Sequence, residues 1–303
     1  MVRQRITNSV GEGELVKLFG GVALILVLVG LALGAIGAAL FDNDPFIPLP
    51  EVHLAPQEIV VIGGFTITNT LLSAWLTTIV VVLLFGLGSR SIRMVPGRLQ
   101  GFVEMFLEAI YNFIKGVAGE KFARPFFPIL ATMFIFVAFN AWIALLPIYP
   151  TIGFTADGHH EITTHLFRSA GTDINMPLAL AVIAFLFAEI WGFKAHGFGY
   201  LKEFFRGPNP LDTFIGIIEL LSHFIRLISF TFRLFGNMLA GEIVLGMMTF
   251  LLVFLVPLAF YGLELLVGGV QALIFMGLTL VFTVMAVASH GDHEEEHSEA
   301  GSH

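Results

Sequence analysis

Long apolar runs, separated by short polar stretches, dominate the chain. Because lipid offers no hydrogen bonds to the backbone, an apolar run of about 20 residues crosses a bilayer as a helix. In the first run, the Gly30-x-x-x-Gly34 spacing would let another helix pack closely. We predict four transmembrane helices before residue 200, at about 18–40, 66–88, 125–148 and 175–194.

The segment between the second and third runs, GFVEMFLEAIYNFIKGVAGEKF (residues 101–122), repeats its apolar positions with helical spacing. Its opposite face carries polar side chains, among them Glu104, Glu108 and Lys115. Such a two-faced helix is typical of a membrane surface. We predict a cytoplasmic interfacial amphipathic helix that connects two spans.

The apolar stretch from Leu211 to about Ser289 predicts a long C-terminal helical hairpin. We expect its break at residues 251–257, ending at Pro257, because proline removes a backbone donor. A first arm of about 40 residues would be roughly 60 Å long, against a hydrocarbon core of about 30 Å. The first arm is therefore tilted in the membrane, or its first turns lie outside.

Polar residues of the two arms come into register when the arms are folded antiparallel. Arg233 and Gln271 have their midpoint at 252, and Glu242 and Glu264 have theirs at 253. Steps of seven residues return to nearly the same helix face, so Glu219 shares a stripe with Arg233. This pattern predicts two water-accessible regions, one open to each side of the membrane, with a permanent cation, Arg233, between them.

Composition supports a membrane location, since 56% of the residues are hydrophobic and only 13% are charged. The absence of cysteine excludes disulfides and thiolate metal sites. The 15 Lys and Arg residues are spread over the loops, so we expect no nucleic-acid partner. The fold class predicted is an all-α, multi-pass membrane protein.

Basic residues in the short loops indicate the orientation. The loops around 41–65 and 148–174 contain few of them and are predicted to be external. Both termini are then cytoplasmic, in the cell (inner) membrane. The first apolar run, with Arg3, Arg5 and Lys17 ahead of it, also fits a secretory signal, so retention or cleavage of residues 1–40 stays open. The basic groups are Arg3, Arg5 and Lys17; Arg90, Arg93 and Arg98; and Lys194, Lys202 and Arg206.

Several other polar residues have more than one interpretation. Glu189 either pairs with Lys194 or lines an inner pocket, and His223 either packs or touches water. The external stretch HHEITTH has the wrong histidine spacing for a metalloprotease helix. We therefore predict neither a metal site nor a cofactor, and a disordered, acidic, histidine-rich tail at 291–303.

The chain resembles subunit a of the membrane sector of F-type ATP synthase. The main motif is SFTFRLFGNMLAGE (229–242), and GLELLVGGVQALIFMGLTLVF (262–282), PGRLQGFVEMFLEAI (96–110) and ALLPIYP (144–150) support it. The resemblance implies a subunit a core at 66–290, after an N-terminal extension at 1–65 that contains one apolar span and an external loop.

The same resemblance assigns roles to single residues. Arg233 matches the essential arginine that faces a carboxylate on the rotating ring of c subunits. Glu242 and Glu264 match two polar positions of the entry half-channel, which often hold one carboxylate and one histidine. The other matches are Asn237 and Gln271 beside the arginine, Glu219 in the cytoplasmic half-channel, and Asp173 and Asn175 near the external mouth.

The function implied is that of a proton-translocating stator subunit. Two offset half-channels would load and unload the c-ring carboxylate and so drive rotation. The implied partners are the c-ring, the b subunits of the peripheral stalk, the rest of the ATP synthase and the lipid bilayer, and the chain itself does no chemistry on ATP.

A secondary ion transporter with a midplane charged site would need two similar halves, and the sequence shows no such repeat. A structural anchor is the other alternative. The choice of H⁺ or Na⁺, the ring size and the direction of turnover stay open.

Overall fold

The computed structural model describes residues 2–42, 46–47, 49–50, 55–90, 96–154, 164–197, 199–200 and 210–288. The predicted tail at 291–303, the HHEITTH histidines at 159 and 160, and Arg93, Lys202 and Arg206 lie outside these residues. The chain forms two compact units. The first contains Met1–Leu54 and Leu239–Val267, and the second contains Ala55–Met238 and Gly268–His303.

Helices make up most of the described chain. Five of them are long and apolar enough to cross a membrane, and a bent pair at the N-terminus would make a sixth span. The all-α, multi-pass class is thereby confirmed. The helices are α1 (Val2–Leu33), α2 (Ala35–Phe41), α3 (Asn69–Ser89), α4 (Arg98–Ala144), α5 (Ile148–Thr151), α6 (Asn175–His196), α7 (Pro210–Leu251) and α8 (Leu255–Ala288).

Helix α4 contains the predicted amphipathic segment and most of the predicted third span, which was expected to reach residue 148, and it is kinked at Gly119, near the end of the amphipathic segment. Gly119 has φ 76° and ψ 168°, a non-helical conformation that kinks the helix. Before the kink, Val103, Ile110 and Ile114 are buried, and all three belong to the predicted apolar face. The surface position of this segment in a membrane stays a prediction.

A β-hairpin lies where the sequence predicts only an external loop. Strands β1 (Glu58–Ile62) and β2 (Phe65–Thr68) pair antiparallel, with Ile62 opposite Phe65. Gly63 and Gly64 form the turn at φ 58° and 89°, which favours glycine. The signal was present as a Gly-Gly pair between β-branched residues in EIVVIGGFTIT. Two shorter strands, β3 (Gly153–Phe154) and β4 (Thr164–His165), also pair antiparallel.

In the first unit, the hairpin break is shorter than predicted. Helix α7 ends at Leu251 and α8 begins at Leu255, with Phe254 at φ 72° between them. Pro257 lies in the first turn of α8 and does not end the break. Proline is tolerated there because the first-turn N–H groups have no partner within the helix.

Helix α1 packs against this break through its two glycines. The Val253 amide donates a hydrogen bond to the Gly30 carbonyl at 3.2 Å. A Cβ atom on Gly30 would overlap the Val253 carbonyl, and one on Gly34 would overlap the Leu251 carbonyl. The glycine spacing in the first apolar run therefore serves a close contact between backbones.

Replacing Gly30 by alanine is expected to lower the thermal unfolding midpoint of the purified chain in detergent. The added methyl would displace α1 from Val253, and overpacking of this kind costs about 1–3 kcal/mol. Gly21→Ala is the matched control, because Gly21 lies on the same helix and has no other group near it. Equal midpoints for the two variants would contradict this packing role.

The second unit has a core that positions α7. Its buried residues come from four helices and include Val137 of α4, Ala184 of α6, Leu234 of α7 and Phe275 of α8. A second cluster, around Phe126, joins the two halves of α4 to α6 and α8. These apolar contacts determine which face of α7 remains open.

Candidate functional site

Within the second unit, α7 has one buried face and one open face. Phe230, Leu234 and Met238, four residues apart, are buried against the core. Between them, Gly236 is exposed, and a Cβ there would meet nothing within 4 Å. Phe232 is also 57% exposed. The open face can therefore accept another helix at close range.

Arg233 lies at the border between these two faces and is half-buried. Its Nη2 is 3.4 Å from Ser229 Oγ, and its guanidinium carbon is 5.9 Å from the centroid of the Phe230 ring. Within the described part of the chain, Arg233 forms no ion pair with a carboxylate. Since a guanidinium stays charged, and an unpaired charge in an apolar setting is costly, the position suits an anionic partner.

One helical turn further along α7, Asn237 binds the buried Gln271 of α8. Asn237 Nδ2 donates to Gln271 Oε1 at 2.5 Å. The predicted register of the hairpin places Gln271 opposite Arg233, whereas in the structure Gln271 is hydrogen-bonded to Asn237. Folding the two arms about a midpoint does not distinguish residues one helical turn apart. The Asn237–Gln271 pair brings an amide donor to an amide acceptor. Gln271 Nε2 is buried and has no hydrogen-bond partner among the described residues.

In the first unit, Glu264 of α8 packs directly on Gly241 of α7. The Glu264 carboxylate occupies the space that a Cβ on residue 241 would need. Glu264 is half-buried, whereas Glu242, the next residue after Gly241, is exposed. Glycine at 241 therefore lets a carboxylate of one arm lie against the backbone of the other.

A partly buried acid–histidine pair lies in the second unit. His223 Nδ1 of α7 is 2.6 Å from Glu189 Oε1 of α6, and both side chains are about 14% exposed or less. Glu189 therefore pairs with His223, and the alternative pairing with Lys194 is not formed. The ammonium of Lys194 instead lies 4.4 Å from the centroid of the Trp191 ring. The sequence signal was weak, because Glu189 and His223 are 34 residues apart on different helices.

Arg226 also lies on the stripe of α7 predicted for Glu219 and Arg233, seven residues from each of them. Glu219, Arg226 and Arg233 are all half-buried, as expected for residues that share one face. The guanidinium carbon of Arg226 lies 3.8 Å from the centroid of the Phe282 ring. A cation over an aromatic ring at this distance is stabilised without a carboxylate.

Asp173 is buried ahead of α6, and its carboxylate accepts three hydrogen bonds. Thr70 Oγ1 donates to Asp173 Oδ2 at 2.9 Å, and the backbone N and Nδ2 of Asn175 donate to Oδ1 at 3.1 and 2.9 Å. Thr70 belongs to a buried polar face of α3 that also contains Ser73 and Thr77. This face is not among the features predicted from the sequence. Its signal is the spacing of three and four residues between hydroxyls in an apolar helix.

This chain is similar to a known protein family over most of its length. A family model described as ATP synthase A chain matches residues 71–284, which include all eight predicted site residues. The chain belongs to the ATP synthase A chain family. It is an integral membrane protein, and family membership implies a place in the F-type ATP synthase and a role in proton translocation.

Individual members of the family match over most of their length. "ATP synthase subunit a" of Gloeobacter violaceus is 32% identical over 258 residues, covering 84% of this chain and 98% of that protein. "ATP synthase subunit a 3" of Pelobacter propionicus is 35% identical over 223 residues, covering 74% and 86%. "ATP synthase subunit a" of Geotalea uraniireducens is 34% identical over 229 residues, covering 76% and 90%.

Helices α1 and α2 precede the region that the A chain model matches. The contact of Gly30 with the hairpin break therefore joins a segment outside the matched region to one inside it. The buried face of α3, by contrast, falls largely within the matched residues, since Ser73 and Thr77 follow residue 71.

Proposed function

We propose that this chain is the proton-translocating stator subunit of an F-type ATP synthase. Two offset half-channels would load and unload a carboxylate on a ring of c subunits and so drive rotation. The observation that carries this proposal is the setting of Arg233. It is a permanent cation, half-buried beside an open helix face, and it has no carboxylate partner in the described chain.

A ring carboxylate that passes Arg233 would meet an opposite charge, which favours the ionised form. When the same carboxylate moves into lipid, desolvation favours the neutral form, so it must first take up a proton. Rotation away from Arg233 is thereby tied to protonation. The energy available is about 2.3 kcal/mol for each elementary charge that crosses 100 mV.

The amide pair supports a barrier next to the cation. Asn237 and Gln271 join α7 to α8 by a hydrogen bond, but amides do not titrate in the physiological range. They can hold the two helices in register without accepting and releasing protons. A guanidinium flanked by amides would therefore separate two titratable regions.

We assign Glu242 and Glu264 to the external half-channel, together with Asp173 and Asn175 near its mouth. Carboxylates take up and release protons, and two of them close together disfavour double ionisation, so that one proton is shared. In the second unit, the buried hydroxyls of α3 beside Asp173 would add polar groups to the mouth.

We assign Glu219 to the cytoplasmic half-channel and add the Glu189–His223 pair to it. Imidazole is the side chain whose ordinary titration falls nearest to neutral pH. A histidine in contact with a carboxylate can exchange a proton with it over a single hydrogen bond. His223 also follows Glu219 by one helical turn on α7.

We infer that the chain lies in the cell inner membrane with both termini in the cytoplasm, and that the b subunits of the peripheral stalk are further partners. The charge pattern of the loops supports this orientation.

Disulfide cross-linking is expected to join the open face of α7 to a c subunit. The chain has no cysteine, so Gly236→Cys introduces a single thiol on the exposed face. With a second cysteine one turn from the ring carboxylate, mild oxidation of native membranes should give an a–c product. Leu234→Cys is the matched control, because Leu234 is fully buried on the opposite face. Absence of a product from Gly236→Cys and also from Ala240→Cys would contradict the assignment.

A further inference from the structure

A cavity of about 560 Å³ lies in the second unit between α4, α6 and α8. Its walls are largely apolar and include Phe126, Trp191, Val284 and Val287. Lys121 and Lys194 also line it. The volume falls within the range of about 300–1,000 Å³ that is usual for sites that bind small molecules.

Both lysines lack an anionic partner in the described chain. The Lys194 ammonium lies 4.4 Å from the centroid of Trp191, and that of Lys121 lies 5.4 Å from the centroid of Phe122. Neither forms an ion pair with a described carboxylate. By contrast, Lys115, on the same helix as Lys121, is paired with Glu120 at 3.0 Å. The cavity thus combines uncompensated positive charge with an apolar wall.

The location favours a lipid as the source of the missing negative charge. Lys194 lies in the last turn of α6, and the sequence that follows contains Lys202 and Arg206, which the orientation inferred above places in the cytoplasm. Anionic phospholipids give the cytoplasmic leaflet its negative surface potential. Basic pockets between transmembrane helices on that side bind their headgroups.

We propose that this cavity binds one anionic phospholipid. Lys121 and Lys194 hold its phosphate, and an acyl chain lies along Trp191, Phe126 and Val284. A free phosphate ion would leave the apolar wall without a partner, and a zwitterionic lipid would bring no net negative charge to the two ammonium groups. An anionic amphiphile satisfies both parts of the cavity.

Quenching of Trp191 fluorescence tests this proposal. The chain has three tryptophans, so a background with Trp75→Phe and Trp142→Phe leaves Trp191 as the only reporter. The full chain is placed in bilayer discs of zwitterionic lipid, to which brominated-chain phosphatidylglycerol or brominated-chain phosphatidylcholine is added. We expect the anionic lipid to quench at a lower mole fraction. Lys121→Gln and Lys194→Gln should each reduce that preference roughly fivefold.

Two sets of variants make the test specific for charge. Lys115→Gln is the matched control and should leave the preference unchanged, since Lys115 does not line the cavity. Lys121→Arg and Lys194→Arg should keep the preference, which separates the effect of charge from a general loss of folding. Equal quenching by the two lipids, or a preference unchanged by both glutamine substitutions, would overturn the proposal.

Other occupants would give different results. If inorganic phosphate alone altered Trp191 emission and neither lipid quenched it, the site would bind a free anion. If the assembled membrane sector protected Trp191 from both lipids, and a cross-linker at residue 194 captured another subunit, a protein segment would fill the cavity. Each of these results overturns the lipid proposal.

Discussion

Arg233→Ala is expected to abolish ATP synthesis driven by a proton gradient. Without the guanidinium, a ring carboxylate would meet no positive charge on the stator, and its ionised form would lose the partner that favours it. The electrostatic barrier between the two half-channels would also fall. Protons that crossed directly would then dissipate about 2.3 kcal/mol per 100 mV as heat.

The assay is ATP synthesis by inverted membrane vesicles after an imposed proton gradient, with immunoblots to verify assembly. Arg226→Gln is the matched control, because Arg226 lies seven residues earlier on the same stripe of α7 and stacks on Phe282. We expect that control to retain synthesis. Arg233→Lys, which keeps the charge, should leak fewer protons than Arg233→Ala. Synthesis retained by Arg233→Ala in assembled complexes would refute the barrier role.

Glu264→Gln is expected to reduce proton-driven synthesis by about a hundredfold, the scale on which a positioned acid or base contributes. Glutamine has nearly the shape of glutamate, so the side chain can still pack on Gly241. The substitution removes the ability of this side chain to take up and release a proton. Glu264→His should retain synthesis, because imidazole titrates near neutral pH.

A separate variant distinguishes packing from proton transfer at this position. Gly241→Ala places a methyl where the Glu264 carboxylate lies, so the flexible end of that side chain must move aside but keeps its titratable group, whereas Glu264→Gln keeps the packing and loses that group. Both are measured in the vesicle assay, with the amount of assembled complex as the reference. Synthesis by Glu264→Gln at the unmodified rate would remove Glu264 from the proton path and leave Glu242 as the carboxylate at the entrance.

The transmembrane helices could be predicted because their cause is local. An apolar run of sufficient length must be helical in lipid, whatever its neighbours. The same applies to the amphipathic segment, whose buried residues Val103, Ile110 and Ile114 follow its apolar spacing. The kink at Gly119 and the exact start of α8 depend on backbone conformation, which periodicity does not report.

Contacts between distant segments could be predicted only in part. Antiparallel folding of one hairpin brings Asn237, Gln271, Gly241 and Glu264 into two pairs, but it does not determine the choice between residues one turn apart. The Glu189–His223 pair joins two helices whose relative rotation is set by the core. The spacing of residues along the sequence does not indicate how these two helices are rotated relative to each other.

The most direct test is electron cryo-microscopy of the intact membrane sector in lipid, at a resolution that shows ordered water. The expected result is the Arg233 guanidinium at mid-depth, opposite a c-ring carboxylate, with one file of water from each side ending before it. A guanidinium among lipid headgroups, or one continuous file of water from side to side, would contradict the mechanism.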